Sequence, residues 1–210
     1  MKNLFSVDGK LYNLLENFSD YVLLNIAFVL SCMPLFTIGA GLTALYDVTD
    51  KIQKGEEINI FKCYFKSFRK NFKSSTFIWV IQFVIYLIVF LYIIMFKDSY
   101  TVFSKIYYVF TILVAYINLA ISIYIYPIIS KYDNNIAGYF QFAFVTSNMF
   151  FLYTILMLAI AVTIIFLVFK STTFIGWAIF VFLIFGFALV AYVYNLILKI
   201  VFERLDYSNE

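Results

Sequence analysis

The sequence predicts an all-α, polytopic helical membrane protein with about five membrane-spanning helices and one amphipathic helix at the cytoplasmic interface. Three observations predict it. Of 210 residues, 64% are hydrophobic and only 13% charged, too little polar surface to cover a globule in water. The stretches 21–46, 77–96, 106–130, 134–169 and 171–198 contain no Asp, Glu, Lys or Arg, and a helix needs about 20 apolar residues to cross the hydrocarbon core. Nothing alternates apolar and polar over ten-residue blocks, which argues against a β-barrel.

Residues 1–20 read as an amphipathic lead-in. A turn at Asp8-Gly9 precedes Leu11, Leu14, Leu15 and Phe18 at helical spacing. Acidic residues outnumber basic ones here, opposite to a signal peptide, so 21–46 is expected as a retained first span. Pro34 removes a backbone donor within it, and Thr37, Gly39 and Gly41 follow, so a kink is expected across 34–41. The 47–57 exit is polar, with a turn at Lys54-Gly55-Glu56-Glu57.

The segment at about 58–73 is the predicted interfacial helix. At about 100° per residue, Phe61, Tyr64, Phe65, Phe68 and Phe72 share one arc, and Lys62, Lys66, Arg69, Lys70 and Lys73 fill the arc beside it. Rings in the acyl zone with ammonium groups among anionic headgroups suit the membrane–water boundary. The functional alternative is a docking surface for a partner, and both roles are compatible. The remaining spans are expected at about 77–96, 106–130, 149–169 and 173–198. A weak two-span repeat relates 21–96 to 106–169, each running span, proline (Pro34 or Pro127), aromatic juxtamembrane segment, span. Duplication and convergent use of interfacial aromatics explain it equally well.

Lys and Arg counts orient the chain. Ten fall on the side of the 47–76 connection, with Lys131, Lys199 and Arg204, against Lys2, Lys10, Lys97, Lys105 and Lys170 opposite. The bias places the basic side in the cytoplasm, the N-terminus outside and the C-terminus inside. Anionic lipid headgroups are then the expected partner of the +3 net charge; no nucleic-acid motif is present.

The chemistry of the chain points away from catalysis. It has no histidine, and its two cysteines, Cys32 and Cys63, sit in a predicted span and on the basic helix. No catalytic motif, metal-ligand spacing or cofactor fingerprint occurs, so no enzyme activity, metal or cofactor is expected. No ionisable group lies well inside a span, which argues against an autonomous ion-coupled carrier. What remains in the spans is neutral polarity, including Gln82, Ser122 and Thr154. For most such residues helix–helix hydrogen bonding is the expected role. Asn25, Asn118 and Asn195 stand out, because an amide has four hydrogen-bonding capacities that lipid does not meet.

The ordered set Phe5…Asp8-Gly9…Leu11-Tyr12, Asp20…Leu24-Asn25, Cys32-Met33-Pro34…Thr37-Ile38-Gly39, Thr43-Ala44-Leu45-Tyr46 and Asn71-Phe72 resembles the YesL-like, DUF624 family of bacterial integral membrane proteins. Ala40-Gly41 departs from that pattern, where a proline is expected after the glycine. The resemblance implies a small membrane protein encoded near carbohydrate-uptake ABC transporters and their two-component regulators. On that footing the chain is expected to be a non-enzymatic accessory subunit docking on ABC permease subunits through the glycine-kinked first span and the aromatic helix. Two alternatives are a self-contained carrier or channel for a small neutral solute, lined by Asn25, Asn118 and Asn195, and a membrane partner of a sensor kinase.

Overall fold

In the computed structural model the described residues are 10–96, 102–170 and 172–208. The predicted turn at Asp8-Gly9, with Lys2 and Lys97, lies outside them, as do the side chains of Leu11, Leu14 and Leu15. All regular structure among them is helical: α1 (Lys10–Ser31), a 3₁₀ turn (Leu35–Thr37), α2 (Ile38–Gln53), α3 (Ile60–Phe96), α4 (Val102–Lys131), α5 (Ile136–Met149), α6 (Phe151–Phe169), α7 (Thr172–Val181), a π turn (Phe182–Gly186) and α8 (Phe187–Ser208). Four segments are long and apolar enough to cross a membrane: Ile60–Phe96, Ile106–Lys131, Phe151–Phe169 and Ile175–Leu205. Phe18–Ser31 is a shorter apolar helix.

The expected first span at 21–46 is two helices. Pro34 is extended (φ −77°, ψ 116°), as its ring and missing N–H demand. Ending α1 there strands the Ser31 carbonyl, and the Thr37 hydroxyl lies 2.5 Å from it and 2.6 Å from the Pro34 carbonyl. The kink residue Thr37 thus satisfies the break it belongs to. Past the end of α2 and its cap Lys54, Gly55 turns the chain with a φ of +73° that costs no Cβ clash. Asn59 then caps α3, its side chain accepting the Lys62 N–H at 3.0 Å.

The expected interfacial helix at 58–73 is not a separate element. It runs without interruption into the span, making α3 37 residues long, or about 55 Å against a hydrocarbon core of about 30 Å. Neither Pro nor Gly occurs between 60 and 96 to break it. By contrast, the aromatic segment of the second half does break. Helix α5 stops at Phe150 (φ −108°, ψ 44°) before α6 begins. The two halves of the proposed repeat therefore treat their aromatic segments differently. Pro127 also differs from Pro34, lying within α4, which continues to Lys131.

Helix α2 is the axis of the bundle. Gly39, Ala40, Gly41, Thr43, Ala44, Leu45, Tyr46, Val48 and Thr49 are all buried, and α1, α3, α4 and α8 surround it. It packs antiparallel to the first half of α3, with Gly39 beside Ser75 at one end and Lys51 beside Cys63 at the other. Helix α1 lies across this core. Phe18 and Tyr21 meet Phe185 and Tyr192 of the last helix, and Ser31 reaches Tyr64 of α3. Away from α2, large apolar side chains such as Ile88, Val109, Phe166 and Trp177 are more than 60% exposed. Such exposure is unfavourable in water and neutral in acyl chains.

Candidate functional site

The charged side chains converge on one end of the bundle. Asp50, near the end of α2, is held by Lys54 at 2.6 Å and by Lys131 of α4 at 3.4 Å. Asp47 pairs with Lys51 at 3.0 Å, and Lys70 of α3 with Asp133 at 3.1 Å. Lys131 also sits 4.6 Å over the Phe202 ring of α8, and the Arg204 guanidinium 5.7 Å from that of Tyr153. Hence Lys51, Lys54, Lys70, Lys131 and Arg204, counted together on sequence grounds, share one pole of the molecule. Burial lowers the pKa of Lys51, but the bond to Asp47 and its charge outweigh this and leave it raised. For Lys54 the bond to Asp50 leads, and its pKa is raised too.

The predicted aromatic–cation segment of α3 presents three faces. Tyr64, Ser67, Asn71 and Ser75 face inward and are buried. Lys62, Lys66, Arg69, Lys70 and Lys73 face outward and are exposed. Phe61 and Phe65, each 39% exposed, flank them, and Phe68 and Phe72 are half-buried. The rings form a chain along the helix, with Phe68 5.5 Å from Phe72 and Tyr64 5.5 Å from Phe65. Tyr64 departs from the expected lipid-facing stripe: its hydroxyl bonds Ser31 Oγ at 2.6 Å and reaches the Gly41 carbonyl at 3.4 Å.

The kink glycines serve packing inside the molecule. A Cβ on Gly39 would collide with the Ser75 carbonyl oxygen and lie 2.7 Å from Trp79 Cβ, and one on Gly41 would lie 2.7 Å from Cys32 Sγ. Across the same seam Thr43 Oγ1 and Ser75 Oγ are 2.8 Å apart. Ser75 carries no role in the sequence reading, where Thr43 enters only through the family resemblance. The signal for Ser75 was there: 64, 67, 71 and 75 follow helical spacing on the face beside the phenyl stripe.

The three asparagines are spent in three separate places. Asn25 donates through Nδ2 to the carbonyls of Phe182 (3.0 Å) and Leu183 (2.9 Å) and accepts the Ala188 N–H at 3.0 Å. It therefore satisfies the backbone groups released by the π turn. Asn195 donates to the Tyr46 carbonyl at 3.1 Å. Asn118 reaches the Gln82 carbonyl at 3.5 Å. Gln82 is the hub there, donating to Ser122 Oγ at 2.9 Å and accepting from the Tyr126 hydroxyl at 2.7 Å. Thr154, another polar span residue, meets the Tyr124 hydroxyl at 2.9 Å. The structure does not bring Asn25, Asn118 and Asn195 to one lining.

Long apolar helices, a charged pole and polar side chains spent between helices define a multi-pass membrane protein. Residues 21–93, about a third of the chain, are similar to the family model described as "Protein of unknown function, DUF624". No curated protein and no solved structure matches the chain.

Proposed function

We propose that this chain is a YesL-like accessory membrane protein of a bacterial carbohydrate-import system, without catalytic activity of its own, that docks on ABC permease subunits in the cell membrane. The observation that supports this reading is the outer face of α3 at residues 61–73. Five exposed cations flanked by Phe61 and Phe65 stand on a helix held from behind by α2. A rigid face mixing aromatic rings with cations suits protein docking, because little conformational entropy is lost on contact. In the kinked segment Gly39 and Gly41 are enclosed, whereas Met33, Leu35 and Phe36 stand exposed and remain available to a partner. In this reading the charged pole faces the cytoplasm, following the Lys and Arg bias.

Affinity purification at native expression, followed by mass spectrometry, tests it. The wild type recovers permease subunits, and a variant with Lys62→Glu, Lys66→Glu and Arg69→Glu loses them while keeping its elution volume. Recovery of a sensor kinase without permease, or of neither, refutes permease docking. Orientation has its own test in a variant lacking Cys32 and Cys63. A cysteine at position 69 labels only after permeabilisation; labelling in intact cells reverses the assignment.

A further inference from the structure

A groove outside the basic face carries a separate site. From the π turn into α8, Phe185, Leu189, Tyr192, Leu196 and Lys199 recur at spacings of four, three, four and three, which is one helical stripe. They face Phe18 and Tyr21 of α1 and Ile52 and Gln53 at the end of α2, enclosing an open volume of about 580 Å³. The lining is graded. Phe18 and Phe185 meet at 5.9 Å at one end, and the Tyr21–Tyr192 pair, at 5.4 Å, stands further along with Gln53 bonded to the Tyr192 carbonyl. Lys199 stands at the far end of the stripe from Phe185 and is the one charged side chain in the lining. Among the described residues it belongs to none of the ion pairs that engage Lys51, Lys54, Lys70 and Lys131. Asp20 neighbours Tyr21 but is not part of the lining.

Length fixes the kind of occupant. From 185 to 199 the stripe covers about 21 Å, while one leaflet contributes about 15 Å of hydrocarbon, half the bilayer core. An acyl chain therefore fits along Leu189, Phe185 and Phe18, with its headgroup at Lys199. Leu189 and Leu196 are about half exposed and have no protein cover. We propose that this groove binds one anionic phospholipid, its chain on the apolar wall and its phosphate on the Lys199 ammonium. The site differs in kind from the cations of α3, which stand exposed along one helix face and attract any anionic surface. A zwitterionic lipid fills the same wall but gains little from Lys199.

Native mass spectrometry of the full chain tests this, in neutral detergent with equimolar phosphatidylglycerol and phosphatidylcholine. The wild type retains one phosphatidylglycerol with about fivefold preference, the worth of one lysine at an anionic headgroup. Lys199→Gln, an exposed change, removes the preference but still retains lipid. Leu189→Trp, which fills the wall, lowers retention of both lipids, and Lys170→Gln, an exposed change just past α6, changes neither. Excess inorganic phosphate does not displace the lipid. Equal retention of the two lipids by the wild type overturns the proposal. So does a preference that survives Lys199→Gln, or displacement by free phosphate.

Discussion

Replacing Asn25 by leucine removes the side chain that joins α1 to the π turn. Leucine keeps the heavy-atom branching of asparagine while carrying no donor or acceptor, so the change deletes the hydrogen bonds with the side-chain outline kept. Three bonds are lost, to the carbonyls of Phe182 and Leu183 and from the N–H of Ala188. At an average of about 0.6 kcal/mol each in membrane proteins, they account for about 2 kcal/mol. The Ala188 N–H is then buried without a partner, a further penalty of about 1–2 kcal/mol. The expected destabilisation is therefore about 3–4 kcal/mol. Unfolding by a denaturing detergent, followed through the fluorescence of Trp79 and Trp177, measures it. A second variant separates the π turn from general damage. Deleting Leu183 returns the turn to α geometry, so it harms the wild type and rescues part of the Asn25→Leu loss. An unfolding free energy for Asn25→Leu within about 0.5 kcal/mol of wild type refutes the reasoning, being within the scatter of a neutral substitution.

Gly39→Leu sets a side chain against the Ser75 carbonyl and Trp79, whereas a Cβ on Gly176 has nothing within 4 Å. The first is expected to lose at least about 1–3 kcal/mol and to elute as aggregate, and Gly176→Leu to remain monodisperse, both read by size-exclusion chromatography. Gln82→Leu strands the Tyr126 hydroxyl, while Ser122 keeps its bond to the Asn118 carbonyl, costing about 1–3 kcal/mol in the same unfolding assay; Thr163→Val, whose hydroxyl bonds its own helix at 2.8 Å, is near neutral. Because Lys51 and Lys54 have raised pKa values in the folded chain, their ion pairs stabilise it fully below the ordinary lysine value of 10.5 and fade as pH climbs through the folded values above it. The advantage of wild type over Lys54→Met, followed by thermal melting, is therefore flat to about pH 10 and narrows above 10.5.

Much of this fold is legible in the sequence because lipid leaves few options. Charge-free runs of span length have to be helices, since only internal bonding satisfies their backbone. The break at Pro34 is legible for the same covalent reason, and the charged pole follows from where Lys and Arg gather. Two features are not legible. Residues 47–53 carry Asp47, Asp50 and Lys51, so they read as an exit into water; only the surrounding helices turn α2 into a buried axis with its acids paired at the pole. The basic helix reads as interfacial because its rings and cations dominate any helical projection. The smaller Ser67 and Ser75, with Asn71, decide the packing, yet they carry little hydropathy signal. Asn25 is conspicuous as an amide within an apolar run, but its partners lie 157 to 163 residues away in a turn that no local pattern announces.

What holds the bundle together follows from the solvent. Acyl chains are as apolar as leucine, so burying leucine between helices in the hydrocarbon gains little over leaving it in lipid. Close backbone approach and polar contacts have to supply the specificity, and the contacts around α2 are of that kind. Gly39 lets α2 touch the Ser75 backbone, and Thr43 meets the Ser75 hydroxyl there. Tyr64 ties α1 and α2 to α3 through Ser31 and Gly41, and Asn195 reaches the Tyr46 backbone. Nearly every such contact joins a side chain to a backbone carbonyl or a hydroxyl, so shape and register are fixed together. Among the described residues, α3 beyond Tyr86, α4 before Asn118 and α6 beyond Met157 show no equivalent set and expose their rings instead. The rigid part of the molecule is accordingly the half that carries the charged pole, and a binding surface there meets a preorganised scaffold.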